Sequence, residues 1–232
     1  MSNSANSLGN DPAPRLDRAA IAKRAARDLI DGSTVNLGIG IPALCADFLP
    51  DGVELLYHAE NGILGFKELS APGEGDPNLM DAGGKFPKLV PGMAFFDSVE
   101  SFALIRGGHI DVTVLGALQV SRNGDLSNWM IPKRGIGSIG GAMELAPNAK
   151  KVIIAMEHNV KGNLAKIVNE CTFPLTARTC VNEIITDIAA IEIDQENDRM
   201  ILRETAPGWS FDDVQARTEA RLTIDGDVGQ MA

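Results

Sequence analysis

Thr34-Val35-Asn36-Leu37-Gly38-Ile39-Gly40-Ile41-Pro42 is the stretch that decides how this 232-residue chain folds. The first four residues read as a short strand, the two glycines allow a tight turn, and Pro42 occupies the first turn of a helix that continues to about residue 49. Strand, glycine turn and helix in immediate succession is the unit from which parallel sheets are assembled. Upstream, residues 17–30 carry Ala, Ile and Leu at helical spacing among Arg and Lys, and Asp31-Gly32 supplies the stop. Downstream, residues 53–59 form a β-type run that ends in the turn Glu60-Asn61-Gly62.

The alternation continues to the C-terminus. Asp97-Ser98-Val99-Glu100 reads as a capping box opening a helix that stops at Gly107-Gly108, and residues 111–115 form a strand of the buried kind. Residues 118–126 turn over at Asn123-Gly124, a hairpin signal. Residues 151–157 and 184–193 read as strands, residues 199–204 pair back across a polar turn, and Ser210 to Asp213 cap a last helix. The pattern predicts an α/β fold: an open, mainly parallel sheet flanked by helices, with antiparallel additions. Residues 1–14 are expected to form a mobile arm, 15–224 one domain, and 225–232 a tail. Residues 69–85, rich in Gly, Pro and acids, read as a loop and a candidate lid.

Composition removes several function classes. The net charge of −10 leaves no electrostatic footprint for nucleic acid, and no apolar run approaches the length of a membrane span. Three cysteines without a C-x-x-C pair and three histidines do not assemble a metal site, so no metal is expected. No signal-peptide pattern is present, and the expected location is the cytoplasm.

Three features could carry chemistry. Glu60 lies just past an apolar run, at the carboxyl end of a strand, where ligands bind in open α/β sheets; a solvated turn acid explains it equally well locally. Asn36 with Gly38-Ile39-Gly40 permits close backbone approach to a ligand, or merely a tight strand-to-helix turn. Gly135 to Glu144 contains a formal G-x-G-x-x-G, but Pro132 precedes it and Pro147 cuts short the segment after it, which is poor context for dinucleotide binding. Backbone donors at an acyl or phosphate site, or a plain loop, remain. His109 and His158 lack the partners of a nucleophilic triad.

Taken together, Asn36-Leu-Gly-Ile-Gly-Ile-Pro42, Glu60-Asn-Gly-Ile-Leu-Gly65, Ser101-Phe-Ala-Leu-Ile-Arg-Gly-Gly-His109, Gly116-Ala-Leu-Gln-Val120, Asn128-Trp-Met-Ile-Pro132, Gly140-Gly-Ala-Met-Glu144, Ala155-Met-Glu-His158 and Cys171-Thr-Phe-Pro-Leu-Thr176 resemble, in order and spacing, the glutamate-bearing beta-type subunits of the family I 3-oxoacid CoA-transferases. The resemblance covers about residues 15–221 and implies the fold of that family. It implies that Glu60 is a covalent nucleophile carrying coenzyme A as a thioester, with Asn36, Gly140, Gly141 and Ala142 around the oxyanion and Lys85 as a cationic contact to CoA. Gly38, Asn61 and Gly62 are then candidates for the substrate pocket.

The same resemblance implies no permanently bound cofactor, CoA serving as substrate and covalent intermediate. It implies a homologous alpha-type CoA-transferase chain as partner, in an α2β2 heterotetramer, and succinyl-CoA with acetoacetate or 3-oxoadipate as substrates. Hydrolysis of an acyl-CoA or of a C–C bond on the same fold is the alternative. Ala59 stands where family members usually have Ser, and Phe66-Lys67-Glu68-Leu69 replaces a commoner Gly-Pro-containing stretch.

Overall fold

A computed structural model describes residues 11–71, 73–135, 137–160 and 162–231; Ile136 of the glycine-rich motif and residues 1–10 of the expected arm lie outside them. The strands β1 (Thr34–Leu37), β2 (Leu56–Ala59), β3 (Ile63–Phe66), β4 (Ala94–Phe95) and β5 (Val112–Leu115) come first. The helix α1 (Arg18–Ala26) precedes them and α2 (Ser98–Arg106) leads into β5. A small sheet then contains β6 (Gln119–Ser121) and β7 (Leu126–Ser127), followed by α3 (Ala142–Asn148) and β8 (Lys151–Ala155). The rest comprises β9 (Asn159–Val160), β10 (Leu164–Ala165), β11 (Ile167–Val168), β12 (Glu183–Ile185), β13 (Ala189–Asp194), β14 (Arg199–Thr205), α4 (Phe211–Gln215), β15 (Leu222–Thr223) and β16 (Gly229–Gln230).

The main sheet runs β15-β14-β13-β12-β8-β5-β1-β2-β3-β4, with β16 also on β14. Its centre, β12-β8-β5-β1-β2, is parallel throughout, while β3, β4, β13 and β14 are added antiparallel. The chain builds β2 on one side of β1 and later returns to place β5 on the other, so the crest between β1 and β5 is a topological switch point, where open α/β sheets bind ligands.

Strand alternation sorts side chains between two apolar layers. Val35, Val112, Val114, Ile153 and Ala155 pack with Ile21, Ala22 and Ala25 of α1, while Leu115, Val152 and Ile154 face the other layer. Asp17 caps α1, accepting from Ala20 N–H at 2.8 Å. Asp97 caps α2 by accepting from Glu100 N–H, and Ser210 and Asp213 form a complete capping box at α4.

Several sequence expectations are corrected. Residues 42–48 form a 3-10 helix, α1 ends at Ala26, and β2 begins only at Leu56. The apolar run 184–193 is two antiparallel strands, because Thr186 closes a turn, its N–H donating to Ala189 O and its hydroxyl accepting from Ile188 and Ala189 N–H. Residues 11–14, assigned to the arm, are tied down: Asp11 bonds Arg15 and Arg217, and Trp209 Nε1 donates to Pro14 O. Residues 225–231 are not a loose tail, since β16 pairs with β14 and Met231 is buried.

Candidate active site

A cleft of about 400 Å³ opens at the switch point, lined by Asn36, Gly38, Glu60, Gly116, Asn128 and the stretch from Ser138 to Ala142, among others. Glu60 reaches it from a turn. Gly62 N–H donates to Ala59 O at 2.9 Å, which makes Glu60 and Asn61 the central residues of a turn within the three-residue connection from β2 to β3. Only glycine serves at position 62: its φ is +114°, and a Cβ there would lie 1.9 Å from Phe96 O. The turn leaves the Glu60 side chain half buried at the crest.

Two groups meet the carboxylate. Asn36 on β1 donates from Nδ2 to Glu60 Oε2 at 3.2 Å, and its own environment is dry, with 2% exposure. From the opposite wall Gly141 presses in: a Cβ built on it would sit 2.9 Å from Glu60 Cγ and 3.0 Å from Oε1, so no larger residue fits without displacing the acid. Gly141 is the N-cap of α3, and the first helical hydrogen bonds run from Glu144 and Leu145 N–H to its carbonyl. The amides of Gly141, Ala142 and Met143 therefore precede that ladder and have no intrahelical acceptor.

The position of α3 is itself braced. Arg106 of α2 holds Glu144 in a two-pronged ion pair, at 2.9 and 2.8 Å, which lowers the Glu144 pKa by hydrogen bonding and charge. Gly137 packs so closely on the chain near Trp129 that a Cβ would meet Trp129 O at 1.7 Å, and Trp129 Nε1 is anchored to Leu175 O. The glycine-rich motif thus serves close approach to a neighbouring loop and delivery of a helix start to Glu60.

Of the residues singled out from sequence, Asn36, Gly38, Glu60, Gly140, Gly141 and Ala142 gather around one cleft. Gly38 does so while its N–H bonds Val114 O at 2.8 Å, and a side chain there would crowd Leu115. Asn61, Gly62 and Lys85 are not among the lining residues. Asn61 instead donates to Met80 O at 2.6 Å, tying the turn to the 69–85 loop, and Gly62 is used up by the packing against Phe96. Lys85 is exposed, two residues beyond Gly83, which does line the cleft.

Sequence reasoning missed three residues. His58, Ser101 and Asn128 are buried or half buried around the site; Asn128 accepts from Thr176 Oγ1 at 2.7 Å and donates to Gly116 O at 3.3 Å. The period of two, which puts residues 58 and 60 on the same side of a strand, was the available signal for His58. Asn128 left none. Among the described residues no cluster of His, Cys, Asp and Glu could hold a metal ion, and no helix is long and apolar enough to cross a membrane.

The family profile for coenzyme A transferase matches residues 18–217. The chain is 47% identical over 207 residues to the B-type chain of a succinyl-CoA:3-ketoacid coenzyme A transferase of Helicobacter pylori, covering 89% of this chain and 99% of that one. It is 45% identical over 208 residues to the beta chain of the acetate CoA-transferase of Escherichia coli, covering 90% and 94%. In three dimensions it shares its fold with an acyl-CoA transferase of Escherichia coli solved as a thioester complex with CoA, at a TM-score of 0.72 and 18% identity, spanning 100% of this chain and 46% of that one. A crest that offers one carboxylate between an amide and a helix start agrees with these likenesses, and the chain belongs to the coenzyme A transferase family, among its beta-type chains.

Proposed function

We propose that this chain supplies the nucleophile, Glu60, of a transferase that moves CoA from an acyl-CoA, with succinyl-CoA as donor, to a 3-oxoacid such as acetoacetate or 3-oxoadipate. The observation that carries the reading is the contact of the Glu60 carboxylate with Asn36 on one side and the backbone of Gly141 on the other, in a cleft at the switch point. A carboxylate ionised at neutral pH attacks without a general base, which explains why no histidine, cysteine or lysine need stand beside it.

The steps balance without proton transfer. A Glu60 carboxylate oxygen adds to the thioester carbonyl, the C–S bond breaks, and CoA leaves as thiolate from a glutamyl–acyl anhydride. The thiolate then attacks the Glu60 carbonyl, the anhydride C–O bond breaks, and the first acid departs as carboxylate, leaving a glutamyl-CoA thioester. The acceptor acid runs the sequence in reverse. Each tetrahedral adduct places negative charge on an oxygen within the cleft. The Asn36 amide and the α3 amides of Gly141 and Ala142 are the donors positioned to meet it, each such donor being worth about 3–4 kcal/mol of barrier in comparable sites.

The exposed ammonium of Lys85, on the loop that contributes Ala82 and Gly83 to the cleft wall, is proposed to meet the phosphates of the CoA tail. An alpha-type CoA-transferase chain is the proposed partner, in an α2β2 heterotetramer, in keeping with the chain designations of the relatives. The test uses the assembled complex with acyl-CoA and no acceptor. A CoA-sized mass on the Glu60 peptide, lost together with exchange in Glu60→Ala, is expected. Sustained release of free CoA at the turnover rate would assign hydrolysis instead, and exchange retained in Glu60→Ala would sink the reading.

A further inference from the structure

His58 has no role in the steps above, yet both of its ring nitrogens have polar partners beneath the cleft. Register aligns it with Asn36, and Asn36 with Thr113, so that three polar residues lie side by side in the buried centre of the sheet. His58 Nδ1 lies 3.3 Å from Asn36 Nδ2, and His58 Nε2 lies 3.0 Å from Ser101 Oγ. An amide nitrogen can only donate. Nδ1 is therefore the acceptor, the ring proton is on Nε2, and that N–H donates to Ser101 of α2. Burial lowers the His58 pKa to about 4, which keeps the ring neutral at physiological pH.

Asn36 Nδ2 carries two protons and faces three acceptors: His58 O at 3.0 Å, Glu60 Oε2 at 3.2 Å and His58 Nδ1 at 3.3 Å. One proton has the fixed backbone carbonyl. The other is shared between a carboxylate and an imidazole nitrogen. While Glu60 is ionised the carboxylate is the stronger acceptor; once Glu60 is acylated it loses its charge, and the competition shifts toward the imidazole. Without Nδ1 the Asn36 amide, buried and short of an acceptor, would turn away in the acylated enzyme.

We propose that His58 is a positioning residue: held in its Nε2–H form by Ser101, it is the standby acceptor that keeps the Asn36 amide aimed at Glu60 when Glu60 is acylated. The proposal rests on Glu60 being the acylated group. It assigns the buried row Ser101–His58–Asn36–Glu60 a single task, which is to hold the donor of the oxyanion still while the charge on its acceptor comes and goes.

The test is run on the complex with its partner chain. Nitrogen-15 spectra of labelled histidine are expected to show His58 with a bare Nδ1 and a protonated Nε2 at neutral pH, and the Nδ1 resonance is expected to move upfield on addition of acyl-CoA as its hydrogen bond strengthens. His58→Phe, which has no acceptor, is expected to lower kcat by about 10- to 100-fold with little change in KM. His58→Gln, which can offer an oxygen to Asn36 and an N–H to Ser101, is expected to recover most of the loss. A proton on Nδ1, an unmoved Nδ1 resonance in enzyme that does carry CoA on Glu60, or wild-type kcat in a folded His58→Phe enzyme each overturns the proposal. Should Glu60 itself be misassigned, the wild-type complex shows no adduct on its peptide while the resting tautomer stays as stated, so the two failures are told apart.

Discussion

Two buried polar networks, one beside β8 and β12 and one on β1 and β2, are built from similar residues and end differently. In the first, Arg15 bonds Asp11 at 2.7 Å, Asp187 at 3.2 Å and Asn159 at 3.3 Å, and Arg217 bonds Asp11 at 2.9 Å. Trp209 lies under both guanidiniums, at 5.3 and 4.7 Å. Beside it His158 is bonded through Nδ1 to Thr186 at 3.0 Å and through Nε2 to Thr218 at 2.8 Å. This network lashes together residues 11–15, the turn between β12 and β13, and the chain after α4, and its residues are not among those lining the cleft.

The second network, Ser101–His58–Asn36, is as dry but ends on Glu60, whose carboxylate opens into the cleft. A buried polar network is stabilising when every member is satisfied and costly when one is not. The first network therefore reports on the fold. The open one leaves the Glu60 carboxyl on the cleft wall, the incompleteness on which the proposed function rests.

The contrast can be broken by exchanging its consequences. The largest effect is expected for Arg15→Met, which strands Asp11 and Asp187 with reduced compensation. It should cost about 3–5 kcal/mol in urea unfolding and leave the exchange rate per folded enzyme unchanged. A comparable loss of kcat in the folded fraction would mean that the two networks are coupled. Gly141→Ala should do the reverse: a Cβ within about 3 Å of the Glu60 carboxyl displaces the proposed nucleophile, lowering exchange by about 100-fold while the melting temperature of the complex scarcely moves. Retained exchange would refute the packing of α3 against Glu60.

A change of pH, by contrast, treats the two networks alike. Burial lowers the pKa of His58 to about 4 and of His158 to about 3, from 6.5. Below 6.5 the unfolded chain takes up these protons and the folded chain does not. Stability is then full above pH 6.5 and is lost on acidification toward pH 4, at about 1.4 kcal/mol per pH unit for each histidine once well below 6.5. Urea midpoints measured between pH 7 and 4.5 should show this slope, and His58→Gln should remove one histidine's share of it. An unchanged slope in that variant would mean that His58 is protonated in the folded state.

Legibility followed the range of the interaction. The hairpin at Asn123-Gly124, the caps Asp97 and Ser210, and the turn that presents Glu60 were readable because each is made by residues a few positions apart. The turn at Thr186 inside an apolar run was not, since Ile188 to Ile191 are as apolar as a strand requires and only the Thr186 hydroxyl, bonding local amides, marks the reversal. Residues 11–14 read as an arm because residues 1–14 are rich in Ser, Asn and Pro; what holds them includes Arg217 and Trp209, far along the chain.

By itself the sequence determined that a glutamate follows a β-type run in a turn, that an asparagine lies on an earlier strand before a glycine turn, and that a glycine-rich stretch comes later. Those are local steric and capping preferences, and they survive any arrangement of the elements. Only the tertiary structure decided that the three meet, because parallel pairing of β1 with both β2 and β5 is set by contacts between distant segments and by register. Register also decided that His58, absent from the sequence reading, stands beside Asn36, and that Asn61 and Gly62, included in it, spend their groups on the loop at Met80 and on Phe96 instead.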